Sequence, residues 1–309
     1  MRLCGKSSGI STRASDFYKH KTALLTTFYA DLPMQVPIPT VHLFPRLDAK
    51  LIELLRSLSP EDWSRPTVAK LWTVKDVATH LLDGNIRMIS MVRDNYFGES
   101  SDKIDSYRDL VKFLNQLNAD WVKATKRMSP SVLIELLEVT GKEYAECIAR
   151  LDPYQPAIFS VAWAGEEQSL NWFHIAREYT EKWHHQQQIR DAVKKPGIMT
   201  KEFYYPLIDT FMQALPHTYR NIKANAGKCV EVIVSSEIGG AWYLTAEKNS
   251  WLLTKIRPAD VDATVTIDPD TAWKLFTKAV TSDEAEKRMI FQGDKSLGKP
   301  ILTMLSVMA

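Results

Sequence analysis

The chain has 309 residues, a length that suits two ordinary domains better than one. With 45% hydrophobic and 25% charged residues, a formal net charge of +2 and no basic run interleaved with aromatics, it is not a typical nucleic-acid-binding protein. No apolar run reaches the roughly 18 residues of a membrane helix, and three scattered cysteines without a CxxC motif indicate a reducing, cytoplasmic location.

Residues 1–33 show little hydrophobic periodicity. We interpret them as a disordered extension, or as the product of a start codon assigned too far upstream. Nothing in this segment indicates chemistry.

The segment 34–196 has the apolar spacing of helices. Helices are predicted from about Leu47, from Thr73, over 107–128, over 131–151 and over 169–193. Thr73 is a good N-cap with Asp76 at the capping-box position, and Pro196-Gly197 ends the last helix. Residues 152–168, with two prolines, are predicted to form a long irregular connection. This pattern predicts a four-helix bundle.

The segment 197–309 changes character, which predicts a small α+β domain. After one helix over about 201–215, strands are predicted over 229–236, 241–248, 250–256 and 262–268. Asp268 and Pro269 are typical of an N-cap and first position, so a helix is expected over 268–280. A helical or apolar segment closes the chain.

Glu181 and His185 lie one turn apart on the last bundle helix and can chelate a metal ion from one face. His80, beside the apolar side of the second helix, is the candidate third ligand. Taken alone, His80 is typical of a core histidine. Taken alone, Glu181 and His185 are typical of a surface pair. Together, in a bundle, they predict a metal site, because bundle cores commonly hold metals between facing helices.

Other residues near this pair have plainer interpretations. By helical spacing, His184 is predicted to face a neighbouring helix or solvent rather than the metal. His174 and Glu178 share the face of Glu181 and could orient a ligand, although a polar end of the helix is the simpler interpretation. Gln188 is expected to be a surface or interhelical hydrogen-bonding group.

Two stretches carry a family resemblance. LWTVKDVATHLLDGN (71–85) and REYTEKWHHQQQIRDA (177–192) resemble the signature segments of DinB-like metal-binding bundles, and most closely the mycothiol-dependent maleylpyruvate isomerase type. ATVTIDPDTAWKLFTKA (263–279) and FQGDKSLGKPILTMLSVM (291–308) resemble the small α+β domain attached to such bundles, which is related to sterol-carrier folds. The resemblance covers about 34–309 and implies His80, Glu181 and His185 as the metal ligands.

The resemblance also implies a chemistry. A divalent metal, zinc in particular, would activate a low-molecular-weight thiol such as mycothiol, and the thiolate would isomerise a small-molecule substrate or be transferred to an electrophile. The family holds an anionic substrate with a C-terminal arginine, for which Arg220, Arg257 and Arg288 are the candidates here. Two alternatives stay open: a hydrolase that uses metal-bound water, and a non-enzymatic protein that binds a metal or a small apolar ligand. No membrane or nucleic-acid partner is expected.

Overall fold

The computed structural model describes residues 35–98 and 104–307. The predicted extension over 1–33 lies outside the described residues. Residues Ile38–Ala309 pack as one compact unit. None of the helices in the described ranges combines the length and apolar character needed to cross a bilayer.

Five long helices make up the N-terminal half, close to the predicted positions: α1 (Phe44–Arg56), α2 (Val74–Val92), α3 (Tyr107–Thr125), α4 (Pro130–Ala149) and α5 (Asn171–Val193). The predicted capping box is confirmed, because the Thr73 side chain accepts from the Asp76 backbone and the Asp76 side chain accepts from the Thr73 backbone. In the predicted irregular connection before α5, Pro156 and Leu170 form an isolated bridge, and a short 3-10 helix covers Ala162–Ala164.

Four of these helices form the predicted bundle. Helix α1 packs on α4 and α5, and α2 packs on the same two helices. Helix α3 lies along α2, to which Trp121 Nε1 donates a 2.7 Å hydrogen bond at the Thr79 carbonyl. Apolar residues from α1, α2 and α4 fill one core cluster together with Ile189 and Val193 of α5.

Helix α5 is buried on nearly all sides. One face looks into the bundle, and the opposite face meets the C-terminal half, where Trp183 packs edge-on against Trp273 and Tyr204. Because both faces are covered, polar side chains on α5 must find protein partners or ligands. This helix carries two of the three predicted metal ligands.

The C-terminal half contains α6 (Lys201–Met212), α7 (Leu215–Thr218), β1 (Cys229–Val234), β2 (Gly240–Ala246), β3 (Trp251–Thr254), β4 (Ala263–Ile267), α8 (Pro269–Phe276), α9 (Ser282–Glu286), β5 (Ile290–Gly293) and α10 (Lys295–Gly298). The strand order is β3-β2-β1-β4-β5. Only the β1–β4 pair among these is parallel. Asp268 caps α8 as predicted, accepting from the Thr271 backbone at 2.9 Å.

The predicted fold class, a helical bundle followed by a small α+β segment, is thus confirmed. Three short elements, α7, α9 and β5, were absent from the prediction. The final segment also contains less α-helix than expected, because α10 is followed by a 3-10 helix over Lys299–Thr303. The domain boundary near residue 196 stays a prediction; α5 ends at Val193, but α6 packs directly on it.

Candidate metal site

Helices α2 and α5 lie side by side and run in opposite directions. The His80 ring packs edge-on against the His185 ring with centroids 4.6 Å apart. Further along α2, Asn85 accepts a 2.7 Å hydrogen bond from Lys182, which precedes His185 on α5. This pairing brings two of the predicted ligand residues together, although they are about a hundred positions apart in the sequence.

Glu181, His184 and His185 form a tight group on α5. Their candidate ligand atoms all lie within 4.8 Å of one another. Oε2 of Glu181 is 3.6 Å from His185 Nε2 and 3.9 Å from His184 Nε2. Two ligands that share a tetrahedral zinc ion at about 2.0–2.1 Å lie roughly 3.4 Å apart, so small side-chain rotations would let these atoms share one ion.

Hydrogen bonds orient both histidine rings toward Glu181. Nδ1 of His184 lies 2.8 Å from the Thr180 carbonyl oxygen, which only accepts, so this nitrogen carries the proton. Nδ1 of His185 lies 2.9 Å from Gln188 Oε1 and donates to it. The lone pairs of both Nε2 atoms therefore remain available, which is the arrangement that metal-binding histidines adopt.

His80 completes the group from α2. It is half-buried, its ring lies 4.8 Å from that of Trp72, and its Nδ1 is buried without a hydrogen-bond partner among the described residues. An unpartnered buried ring nitrogen is costly unless a ligand or water satisfies it. We refer to His80, Glu181, His184 and His185 together as the α2–α5 site.

The protonation states of these groups suit a divalent cation. Burial, followed by the charge of His185, holds the pKa of His80 well below its ordinary value. Burial likewise lowers the pKa of His184 to about 4, so both rings are neutral near pH 7. Burial alone would raise the pKa of Glu181, but interactions with His184 and His185 hold it below its usual range. His80 and His184 therefore offer neutral imidazoles and Glu181 offers a carboxylate, which are donor types that zinc favours.

A buried polar network continues along the same face of α5. Arg177 contacts Nδ1 of His174 at 3.0 Å and Oε1 of Glu178 at 2.7 Å. The Tyr144 hydroxyl donates to Oε2 of Glu178 at 2.9 Å. His174 and Glu178 are thus interior groups that hold one another in place, rather than a polar end of the helix.

The three candidate arginines of the C-terminal half lie in different surroundings. Arg257 pairs with the buried Glu231 at 2.5 Å. Arg220 donates to the His217 carbonyl oxygen at 2.6 Å. Arg288 is exposed, and its charge acts on Asp268 and Glu284. Arg257 and Arg220 are thus engaged within the protein, and a substrate-binding role for Arg257 or Arg288 stays a prediction.

One interpretation from the sequence is wrong. His184 does not turn away from the candidate site, because its bond to the Thr180 carbonyl directs Nε2 toward Glu181. Gln188, expected as a surface or interhelical group, is instead buried and pairs with His185 on the same helix. The three-residue spacing of these two residues was an available signal, since side chains at i and i+3 are neighbours on a helix.

Comparison with known proteins agrees with this architecture. Residues 44–190 match the family model described as the mycothiol maleylpyruvate isomerase N-terminal domain. No curated protein matches the chain.

Among solved structures, a crystal structure of a mutant mycothiol-dependent maleylpyruvate isomerase matches with 10% identity and a TM-score of 0.50, covering 87% of this chain and 97% of that one. At this identity the match establishes a shared fold. A second structure of that isomerase has 10% identity and a TM-score of 0.48, covering 81% of this chain and 91% of that one. A UbiJ-SCP2 ubiquinone synthesis protein has 18% identity and a TM-score of 0.24, covering 32% of this chain and 93% of that one.

Proposed function

Residues 44–190 belong to the mycothiol maleylpyruvate isomerase N-terminal domain family, and from that premise we propose that this chain is a divalent-metal-dependent isomerase that uses a low-molecular-weight thiol. The observation that carries the proposal is the convergence of His80 with Glu181 and His185 between α2 and α5. These three residues are the proposed ligands, and zinc is the proposed metal.

The donor set fits such an ion. His80 Nδ1 is a buried atom without a partner, and the Nε2 lone pair of His185 is directed toward Glu181. When bound, zinc with three protein ligands and an open position would lower the pKa of a bound thiol or water, so that a nucleophile exists at neutral pH.

The protein side chains around the ion would keep its ligands in place. Gln188 fixes the His185 ring by accepting from Nδ1, which leaves Nε2 as the donor to the metal. The Trp72 ring lies beside both histidines, with its centroid 4.8 Å from that of His80 and 6.2 Å from that of His185. Below the site, Glu178 is held by Tyr144 and Arg177. This arrangement preorganises the site before any substrate enters.

Mycothiol is the proposed co-substrate, and a small molecule with a cis double bond conjugated to a carbonyl group is the proposed substrate class. The thiolate sulfur would add to one alkene carbon, and the π electrons would move onto the carbonyl oxygen. Rotation about the resulting single bond and expulsion of the thiolate would then give the trans isomer. The thiol is regenerated, so the step needs no oxidant or reductant. Transfer of the thiol to an electrophile would use the same ligands.

Cobalt substitution tests the proposal directly. Co²⁺-loaded protein titrated with mycothiol should develop an intense sulfur-to-cobalt charge-transfer band at one thiol per chain. The band should be absent in His80→Ala and Glu181→Gln, and present in His42→Ala, which removes an exposed histidine from the turn before α1. If cobalt binds but mycothiol gives no such band, the thiol-dependent reaction is excluded.

One observation favours a second candidate, a non-catalytic protein that binds its metal tightly. His184 supplies a fourth donor within reach of Glu181, and four protein ligands would leave no open position. The cobalt spectrum distinguishes the isomerase from the non-catalytic protein. With four protein ligands and no open position, the spectrum would not change on addition of mycothiol or maleate. A hydrolase would need the same open position, and it would release product without any thiol.

A further inference from the structure

Helix α4 exposes a row of apolar side chains on its outer face. Its inner face fills the bundle core, where Leu133 and Leu137 are buried. On the outer face, Val132, Leu136 and Val139 are 45%, 38% and 66% exposed. Their spacing of i, i+4 and i+7 places all three along one side of the helix. Single exposed apolar residues are ordinary, whereas a contiguous row is typical of an interaction surface.

Two exposed side chains of opposite charge flank this row. Glu135 lies one turn before Val139 and Lys142 lies one turn after it. Within residues 35–98 and 104–307, neither charge takes part in a hydrogen bond or an ion pair. The other charged side chains of α4 are all paired inside the chain: Glu138 with Arg56, Glu143 with Arg93 and Glu146 with Arg150. The two charges left over are therefore the two that border the apolar row.

The placement of these charges is self-complementary. Glu135 and Lys142 are seven residues apart, so they lie almost in line along the helix and about 10 Å apart. A two-fold axis across the helix near Val139 would put Glu135 of each copy opposite Lys142 of the other. The same operation would bring the two Val139 side chains together at the centre. Closed dimers are built from one patch that matches itself in this way.

We infer that the chain forms a homodimer through the outer faces of two antiparallel α4 helices. Burial of Val132, Leu136 and Val139 supplies the affinity, and the two Glu135–Lys142 pairs set the orientation. A parallel arrangement is disfavoured, because it would place Glu135 against Glu135 and Lys142 against Lys142. None of the four residues of the α2–α5 site belongs to α4, so the inference is independent of the proposed function.

The first test is sedimentation equilibrium of the full chain over a range of protein concentrations. The wild type should reach the mass of a dimer. Val139→Asp should weaken the dimer by roughly tenfold or more, because it places two carboxylates at the centre of the interface. Ile256→Asp is the matched control, since Ile256 is 82% exposed in the C-terminal half, and it should dimerise as the wild type does. A wild type that stays monomeric at every concentration, or a dimer unaffected by Val139→Asp, would overturn the inference.

Charge reversal then tests the antiparallel pairing. Glu135→Lys alone and Lys142→Glu alone should each be largely monomeric, because like charges would then meet at both ends of the interface. An equal mixture of these two variants should form a heterodimer, and the double variant Glu135→Lys/Lys142→Glu should regain self-association. Circular dichroism verifies that every variant is folded. Absence of both the heterodimer and the restored dimer would overturn the proposed arrangement.

Discussion

Lys182 and Asp48 form an ion pair inside the helical bundle, with Nζ 2.9 Å from Oδ1. Asn85 accepts a further hydrogen bond from the same ammonium at 2.7 Å, and the Tyr144 ring lies 4.3 Å from it. Gly141 makes room for this arrangement, because a Cβ there would lie 2.8 Å from Oδ2 of Asp48. The pair joins α1, α2, α4 and α5, and Lys182 follows the proposed ligand Glu181 in the chain.

Replacing Lys182 with Met should therefore destabilise the bundle strongly. The substitution leaves the Asp48 carboxylate, which is only 17% exposed, without its cation, and breaking buried pairs costs about 3–5 kcal/mol. Urea unfolding measures the change. Lys50→Met is the control: its partner Glu53 is exposed, so we expect a change below about 0.5 kcal/mol. Equal effects of the two substitutions would refute a structural role for the buried pair.

Arg190 closes the C-terminal end of α5. Its guanidinium donates to the carbonyl oxygens of Lys50 and Pro196 at 2.9 and 2.8 Å. A Cβ at Gly197 would lie 2.4 Å from Nη1 of Arg190. Gly197→Ala should therefore displace the guanidinium and cost about 1–3 kcal/mol.

A double-mutant cycle identifies the cause. In an Arg190→Met background, Gly197→Ala should cost much less, because no guanidinium remains to be displaced. If the two losses are additive, the steric explanation is wrong.

Acid should destabilise the fold through His174. Burial, with Arg177 next in effect, lowers its pKa to about 4 from an ordinary value of 6.5. Between these values the unfolded chain binds a proton that the folded chain does not, so the free energy of unfolding falls as pH decreases from 6.5 to 4. The full effect is about 3 kcal/mol. In EDTA, the free energy of unfolding of His174→Gln should fall less steeply with decreasing pH than that of the wild type or of the control variant His42→Gln. Identical slopes would contradict a contribution of His174 to acid destabilisation.

Gly84→Ala should stabilise the protein. Gly84 lies inside α2, where alanine is favoured by about 1 kcal/mol, and a methyl group would meet no atom outside its own helix and chain neighbours. Thermal unfolding should therefore show a higher midpoint. A destabilised Gly84→Ala variant would show that the space is not open.

The fold was largely predictable wherever local chemistry decides the structure. The Thr73–Asp76 capping box and the Asp268–Pro269 helix start are local signals, and both occur as predicted. Strand β5 was missed, because the four residues from Ile290 to Gly293 have no clear alternation and are held in place by pairing with β4. Such long-range pairing is not visible in a short sequence window.

The candidate site was predictable in part. Helical spacing grouped Glu181 with His185, and the structure places His80 against His185 as that prediction required. Spacing alone could not orient His184, because its direction depends on a hydrogen bond to the Thr180 carbonyl. The ligand set itself stays a prediction.

Anomalous X-ray scattering at the zinc edge from crystals of the zinc-loaded protein tests the central claim most directly. We predict one peak per chain, within coordination distance of His80, Glu181 and His185, at full occupancy in the wild type and lost in Glu181→Gln. No peak between α2 and α5, or a peak held by α5 residues alone with His80 turned away, would contradict the proposed metal centre.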